Sequence, residues 1–150
     1  MRRASMWGIG AAVVLVVAVA VLNRGGGSRT EAGGGAAAVP WERDLSTALA
    51  RAGNEKKLVM VDFYTDWCKW CQRLDQTTLS DAGVQQALGR FVSVRLNAEK
   101  DGRDVAERFN VDGYPTILFL DANGGEVGRI PGYLEPGPFL AELENVVKKV

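Results

Sequence analysis

The chain has 150 residues, enough for one ordinary domain, and its 18 basic and 18 acidic side chains cancel. The balance is uneven: residues 1–40 hold four Arg and one acid, while residues 41–150 hold 14 basic and 17 acidic groups, and a mildly acidic domain argues against nucleic acid as a partner. Histidine is absent, which removes the commonest neutral-pH general base and the commonest metal ligand, and two cysteines are too few to staple a small secreted scaffold.

In chain order, a cationic start with Arg2 and Arg3 precedes an uncharged run from Met6 to Leu22, 17 residues long. As a helix this run would rise about 25 Å, at the short end for crossing hydrocarbon and above the usual signal-peptide core. Two readings stand: a signal-anchor with Trp7 near the interface, or a signal peptide cleaved after small residues at Ala18-Val19-Ala20 or Ala36-Ala37-Ala38. Both export the rest of the chain, to a periplasmic or other extracytoplasmic site, and the anchor reading, favoured on length, keeps it on the cytoplasmic membrane. Residues 1–24 are read as this leader, 25–40 as a flexible Gly/Ala-rich linker, and 41–150 as the domain.

Within the domain, Asp44 caps a helical pattern that places Leu45, Ala48, Leu49 and Ala52 on one face. Leu58–Tyr64 (LVMVDFY) is an apolar run broken only by Asp62 and reads as a buried central strand. A helical stretch follows from roughly Cys71 to Leu79, and Ser80-Asp81 restarts a helix. Phe91–Leu96 alternates as a strand, residues 101–109 are helical, and Thr116–Leu120 is a second apolar strand. Asn123-Gly124 signals a hairpin into residues 126–130, and an amphipathic helix runs from Pro136 to the end. This order predicts an α/β domain of three layers, with a mixed central sheet between helices and the hydrophobic helix in front.

The chemistry centres on Asp66-Trp67-Cys68-Lys69-Trp70-Cys71. A staple between Cys68 and Cys71 closes so short a ring that it adds little to stability. A structural zinc site needs four ligands, typically Cys or His; two cysteines without histidine do not supply them, and a site completed by carboxylates has no spacing to support it. A working dithiol needs a thiolate, an accessible attacking sulfur and a second thiol close by. A Cys-x-x-Cys directly after a buried strand and opening a helix meets these needs, since the helix N-terminus stabilises negative charge on Cys68. Cys68 is therefore read as the nucleophile, Cys71, deeper by one turn, as the resolving thiol, and Lys69 as a nearby cation that tunes them. Asp62 is read as a buried carboxylate that takes the proton from Cys71; the alternative is a solvated Asp that ends the strand's apolar face. Tyr114-Pro115 precedes a strand, where either a cis bond or a trans proline at a strand start fits.

Taken together, VDFYTDWCKWC (Val61–Cys71), GYPT (Gly113–Thr116), the Asn123-Gly124 hairpin and Gly132 before the last helix resemble the thioredoxin superfamily over about residues 41–150. The acid- and threonine-rich stretch after the dithiol is most like periplasmic thioredoxin-like domains, among them the C-terminal domain of a membrane thiol reductant transporter. The resemblance implies a thioredoxin-like fold, Cys68 and Cys71 as a redox disulfide pair, Asp62 as the family's buried acid and Pro115 as its cis-proline. It implies that the Pro115 backbone pairs with the substrate chain and that Trp67 is the aromatic residue before the nucleophile; Trp67, Trp70 and Tyr114 are read with it as the substrate-contacting surface, Trp70 alternatively as a helix-packing residue. The Gly-Pro usual between the cysteines is replaced by Lys69-Trp70, so the potential is not carried over. The expected function is a protein thiol–disulfide oxidoreductase, in the reducing direction because the resemblance places a His between the cysteines of the family's strong oxidants, and here that His is absent while Asp62 is present. The alternatives are an oxidase or isomerase, and a non-catalytic binding or assembly module. The expected partners are protein disulfides and a membrane or periplasmic electron donor, for a monomer without metal or organic cofactor.

Overall fold

The structure, a computed structural model, describes residues 39–150. The leader expected over residues 1–24, and the linker as far as residue 38, lie outside the described residues. Among the described residues no helix is long and apolar enough to cross a membrane.

Ten elements follow one another: β1 (Trp41–Glu42), α1 (Leu45–Glu55), β2 (Leu58–Tyr64), α2 (Lys69–Thr77), α3 (Ala82–Leu88), β3 (Phe91–Asn97), α4 (Arg103–Arg108), β4 (Thr116–Leu120), β5 (Glu126–Pro131) and α5 (Pro136–Val147). They form an α/β fold around one mixed five-stranded sheet in the order β1-β3-β2-β4-β5. β2 lies at the centre, parallel to β3 and antiparallel to β4, and β5 closes one edge antiparallel to β4. The sequence reading lacks β1. Two residues are too short to show a period, and Trp41 and Glu42 become a strand only by pairing with Ser93 and Val94. Val39, inside the expected linker, already packs against the core.

Alternation along β2 sorts the core into two layers. Val59, Val61 and Phe63 join Val92, Val94 and Leu96 against α1 and α4. On the opposite face Met60, with Ile117 and Phe119, packs against Leu74 of α2, Val84 and Leu88 of α3, and Phe139, Leu143 and Val146 of α5. Burial of these side chains, at about 25 cal/mol per Å² of apolar area, is the main drive for the sandwich. Asp62 shares the Met60 face, so it points into the layer that carries α2.

The helices start where the sequence supplies caps. Asp44 accepts the Thr47 N–H at 2.7 Å, and Asp81 accepts the Val84 N–H at 3.0 Å. Hydrogen bonds from Ser46 and Thr47 hold the Asp44 carboxyl down at about 2. α2 begins at Lys69, two residues before the predicted start, because the side chain of Cys68 itself serves as the cap. Between β4 and β5, Asp121 Oδ1 accepts the N–H groups of Asn123 and Gly125, and Gly124 takes φ +83°.

Candidate active site

The central strand ends at Tyr64, and the chain turns through Thr65, Asp66 and Trp67 onto the first turn of α2. Cys68 is extended (φ −75°, ψ 102°), and its Sγ accepts the backbone N–H of Cys71 at 3.0 Å. Cys68 and Cys71 are joined as a disulfide with their Cα atoms 5.3 Å apart. The expectation of an accessible Cys68 above a deeper Cys71 does not describe this oxidised form: the two residues are 3% and 2% exposed. What distinguishes the pair is electrostatic. The Cys68 sulfur sits where α2 presents its unpaired N–H groups, an arrangement that favours a thiolate there.

Around the disulfide the chain exposes two tryptophans, Trp67 at 65% and Trp70 at 59%. Neither is free. The Trp67 indole N–H donates to both carboxylate oxygens of Glu99, at 3.0 and 3.1 Å, and its ring meets Tyr114 edge-on with centroids 6.3 Å apart. Neighbouring Asp66 accepts from Asn97 Nδ2 at 2.9 Å and from Lys100 Nζ at 2.6 Å, which raises the proton affinity of that lysine. The loop after β3 thus holds both residues that lead into Cys68. Trp70 packs on Tyr133, with centroids 5.4 Å apart. The Tyr114–Pro115 bond is cis. A groove of about 340 Å³ is lined by Trp70, Tyr114, Pro115, Gly132 and Tyr133, and Lys69 stands exposed on the first turn of α2.

Behind the disulfide lies a charged interior. Asp62 is 1% exposed, so the solvated alternative for this residue does not apply. Its Oδ2 lies 3.2 Å from Arg95 Nε, in a charge contact whose angles make no hydrogen bond, and neither Asp62 oxygen has a hydrogen-bond donor among the described residues. Arg95 donates through Nη2 to Asp75 on α2 at 2.8 Å, with its guanidinium 4.5 Å from the Tyr64 ring centroid. Burial pushes the Asp62 carboxyl up to about 7; the Arg95 cation opposes this, and the Asp75 anion adds to it. Burial lowers the Arg95 proton affinity, but Asp75 and Asp62 outweigh it and leave it raised. Arg95, Asp75 and Cys71 line one cavity of about 320 Å³, together with Arg43, Thr65 and Gln72.

The sequence offers Asp62, Trp67, Lys69, Trp70, Tyr114, Pro115 and both cysteines as candidates. Missing from that set are Arg95, Asp75, Glu99 and Tyr133. The signal for Arg95 was present in FVSVRL, where a charged residue shares the Phe91 and Ser93 face of an otherwise apolar strand. Glu99 and Tyr133 carry no comparable mark in the sequence.

A central strand that delivers a dithiol onto a helix cap, with a buried acid behind and a cis-proline loop beside it, defines a domain built around a redox-capable cysteine pair. The chain belongs to the thioredoxin-like domain family, whose model matches residues 45–147. It is 42% identical over 107 residues to a thiol:disulfide interchange protein DsbD of Salmonella paratyphi A, a match that covers 68% of this chain and 18% of the relative. The chain therefore spans less than a fifth of the length of the curated relatives it matches. Among solved structures, a thioredoxin from Thermus thermophilus superposes with a TM-score of 0.67 at 35% identity, covering 74% of this chain and 88% of that one. The oxidised DsbD C-terminal domain of Neisseria meningitidis shares the fold, with a TM-score of 0.60 at 22% identity, covering 71% and 98%.

Proposed function

We propose that this domain reduces disulfides in other proteins, and that the N-terminal segment holds it outside the cytoplasmic membrane. The observation that carries the exchange reading is the Cys68 sulfur at the cap of α2, in contact with the Cys71 N–H. In the reduced state the same N–H and the helix dipole stabilise a Cys68 thiolate, and Lys69 adds a cation next to it. The thiolate attacks one sulfur of a substrate disulfide. A bond forms from Cys68 to that sulfur, and the other substrate sulfur leaves as a thiolate and takes up a proton. Cys71 then loses its proton to Asp62, directly or through water, and attacks Cys68. The second substrate thiol is released and the Cys68–Cys71 disulfide remains. The second substrate sulfur leaves as a thiolate and takes up the proton held by Asp62, while the first takes its proton from solvent; two electrons pass from the dithiol to the substrate, so each turnover requires re-reduction by an external dithiol donor.

Trp67, Trp70, Tyr114 and Pro115 are the residues proposed to receive the substrate chain. The relation to a thiol:disulfide interchange protein supports exchange chemistry and, with the cationic start and apolar run at residues 2–22, an exported and tethered domain. An insulin-disulfide reduction assay and a redox titration of the purified chain test the proposal together. A potential near −270 mV with insulin reduction is the expected result; a potential above roughly −150 mV would make the protein an oxidase or isomerase instead. Retention of biological function by a Cys68→Ser, Cys71→Ser double variant would make it a binding module.

A further inference from the structure

The threonine pair that ends α2, Thr77 and Thr78, has no part in the exchange steps, yet its hydroxyls reach residues far along the chain. Thr77 Oγ1 donates to the Arg73 carbonyl at 2.8 Å, and Thr78 Oγ1 donates to the Leu134 carbonyl at 2.6 Å. A hydroxyl has one proton to give. Because that of Thr77 is already engaged, the 3.0 Å contact between Thr77 Oγ1 and the Tyr133 hydroxyl is a bond that Tyr133 donates. Gly132, at φ +102°, gives its N–H to the Pro115 carbonyl at 2.8 Å. Three consecutive residues, 132 to 134, are thus tied either to the cis-proline loop or to the end of α2.

The Tyr133 ring held in this way is the one that Trp70 packs against, and the Arg73 guanidinium lies 6.0 Å from its centroid. Trp70 is 59% exposed, and an exposed Trp with no neighbour must be ordered when a substrate arrives, which weakens binding. Tyr133 supplies that order beforehand. The resulting groove of about 340 Å³ is at the small end of ligand cavities, with room for one large side chain.

We propose that Tyr133 is a specificity-determining residue of the exchange site: anchored by Thr77, it fixes Trp70 as a wall that accepts an aromatic or long aliphatic side chain beside the cystine of an incoming polypeptide, with an acidic neighbour turned toward Arg73. This inference rests on the exchange reading of Cys68 and Cys71. The occupant is a polypeptide segment because one wall of the groove, Trp70, immediately precedes Cys71 in the chain, the other rings stack on apolar side chains, and the Arg73 guanidinium lies 6.0 Å from the Tyr133 ring.

The test uses the reduced full chain and three cystine peptides that differ only at the two residues beside the cystine: Phe-Asp, Ser-Asp and Phe-Lys. Rate constants for their reduction are read by stopped flow. The wild type is expected to prefer Phe-Asp over Ser-Asp by about ten-fold, and over Phe-Lys by a factor that shrinks as salt is added. Thr77→Val and Tyr133→Phe each delete one hydroxyl of the anchor, and each is expected to lower the Phe over Ser preference. The double variant is expected to lower it no further, and Thr77→Ser to retain it, which a general loss of stability would not produce. Equal rates for the Phe and Ser peptides, or additive effects of the two deletions, overturn the inference while leaving exchange intact. Failure to reduce any of the three peptides overturns the exchange reading, and this inference with it.

Discussion

Replacing Asp62 with Asn is expected to stabilise the domain relative to wild type as pH rises from 4 to 8. The carboxyl titrates at about 7 in the folded chain, against 3.8 without the fold. Between those values the folded state holds a proton that the unfolded state has lost. Folding stability therefore falls as pH rises through that window, and the full penalty is present above about pH 7. Below about pH 4 both states are protonated and the group contributes nothing. A displacement of about three units at 1.36 kcal/mol each makes the penalty about 4 kcal/mol, a large fraction of a typical 5–15 kcal/mol stability. The amide that the substitution introduces would itself be buried with few partners, at a cost of about 1–3 kcal/mol. That cost is the same at every pH, so the diagnostic is the change with pH and not the absolute difference. Urea unfolding of oxidised wild type and Asp62→Asn from pH 4 to pH 8.5 measures it, and titrating groups not coupled to Asp62 cancel in the difference. A difference that grows by several kcal/mol between pH 4 and pH 8 is expected. A flat difference would refute both the raised carboxyl and the desolvation argument behind it.

The other expectations concern single contacts. Cys71→Ser is expected to accumulate a mixed disulfide between Cys68 and a protein substrate, visible on non-reducing gels, whereas Cys68→Ser traps nothing. Arg95→Met removes the cation that draws the Asp62 carboxyl downward, so its titration, followed by carboxyl NMR, is expected to move to higher pH than in wild type. Gly102→Ala places a Cβ 2.6 Å from Leu96 Cβ and 2.9 Å from the Asn97 carbonyl oxygen, and the backbone on one side has to give way. A loss of about 1–3 kcal/mol in urea unfolding is expected.

How much of this was legible in advance follows from the range of each interaction. The strand, the dithiol and the start of its helix lie within 14 residues, Leu58 to Cys71, and local pattern alone places them. Asp62 was visible as the one charge in an apolar run. The Tyr133–Thr77 bond spans 56 residues and the Trp67–Glu99 bond 32, and no periodicity connects such positions. They exist because β5 returns beside β4, and because the loop after β3 arrives at the end of β2.

Arg95 lies between these cases, because its role depends on register. β2 and β3 run parallel from Leu58 opposite Phe91, which sets Asp62 opposite Arg95. A slip of one residue would turn Arg95 into the apolar layer under α1 and α4 and bring Val94 or Leu96 to the charged interior. Neither arrangement can be satisfied, since a lone guanidinium among Val59, Val61 and Phe63 has no partner and Asp62 loses its own. The contact between Asp62 and Arg95 therefore does two things. It lowers the cost of the buried acid that the proposed exchange mechanism uses, and it fixes the two central strands in the one alignment that brings this acid's partner, Arg95, to the cavity that Cys71 also lines.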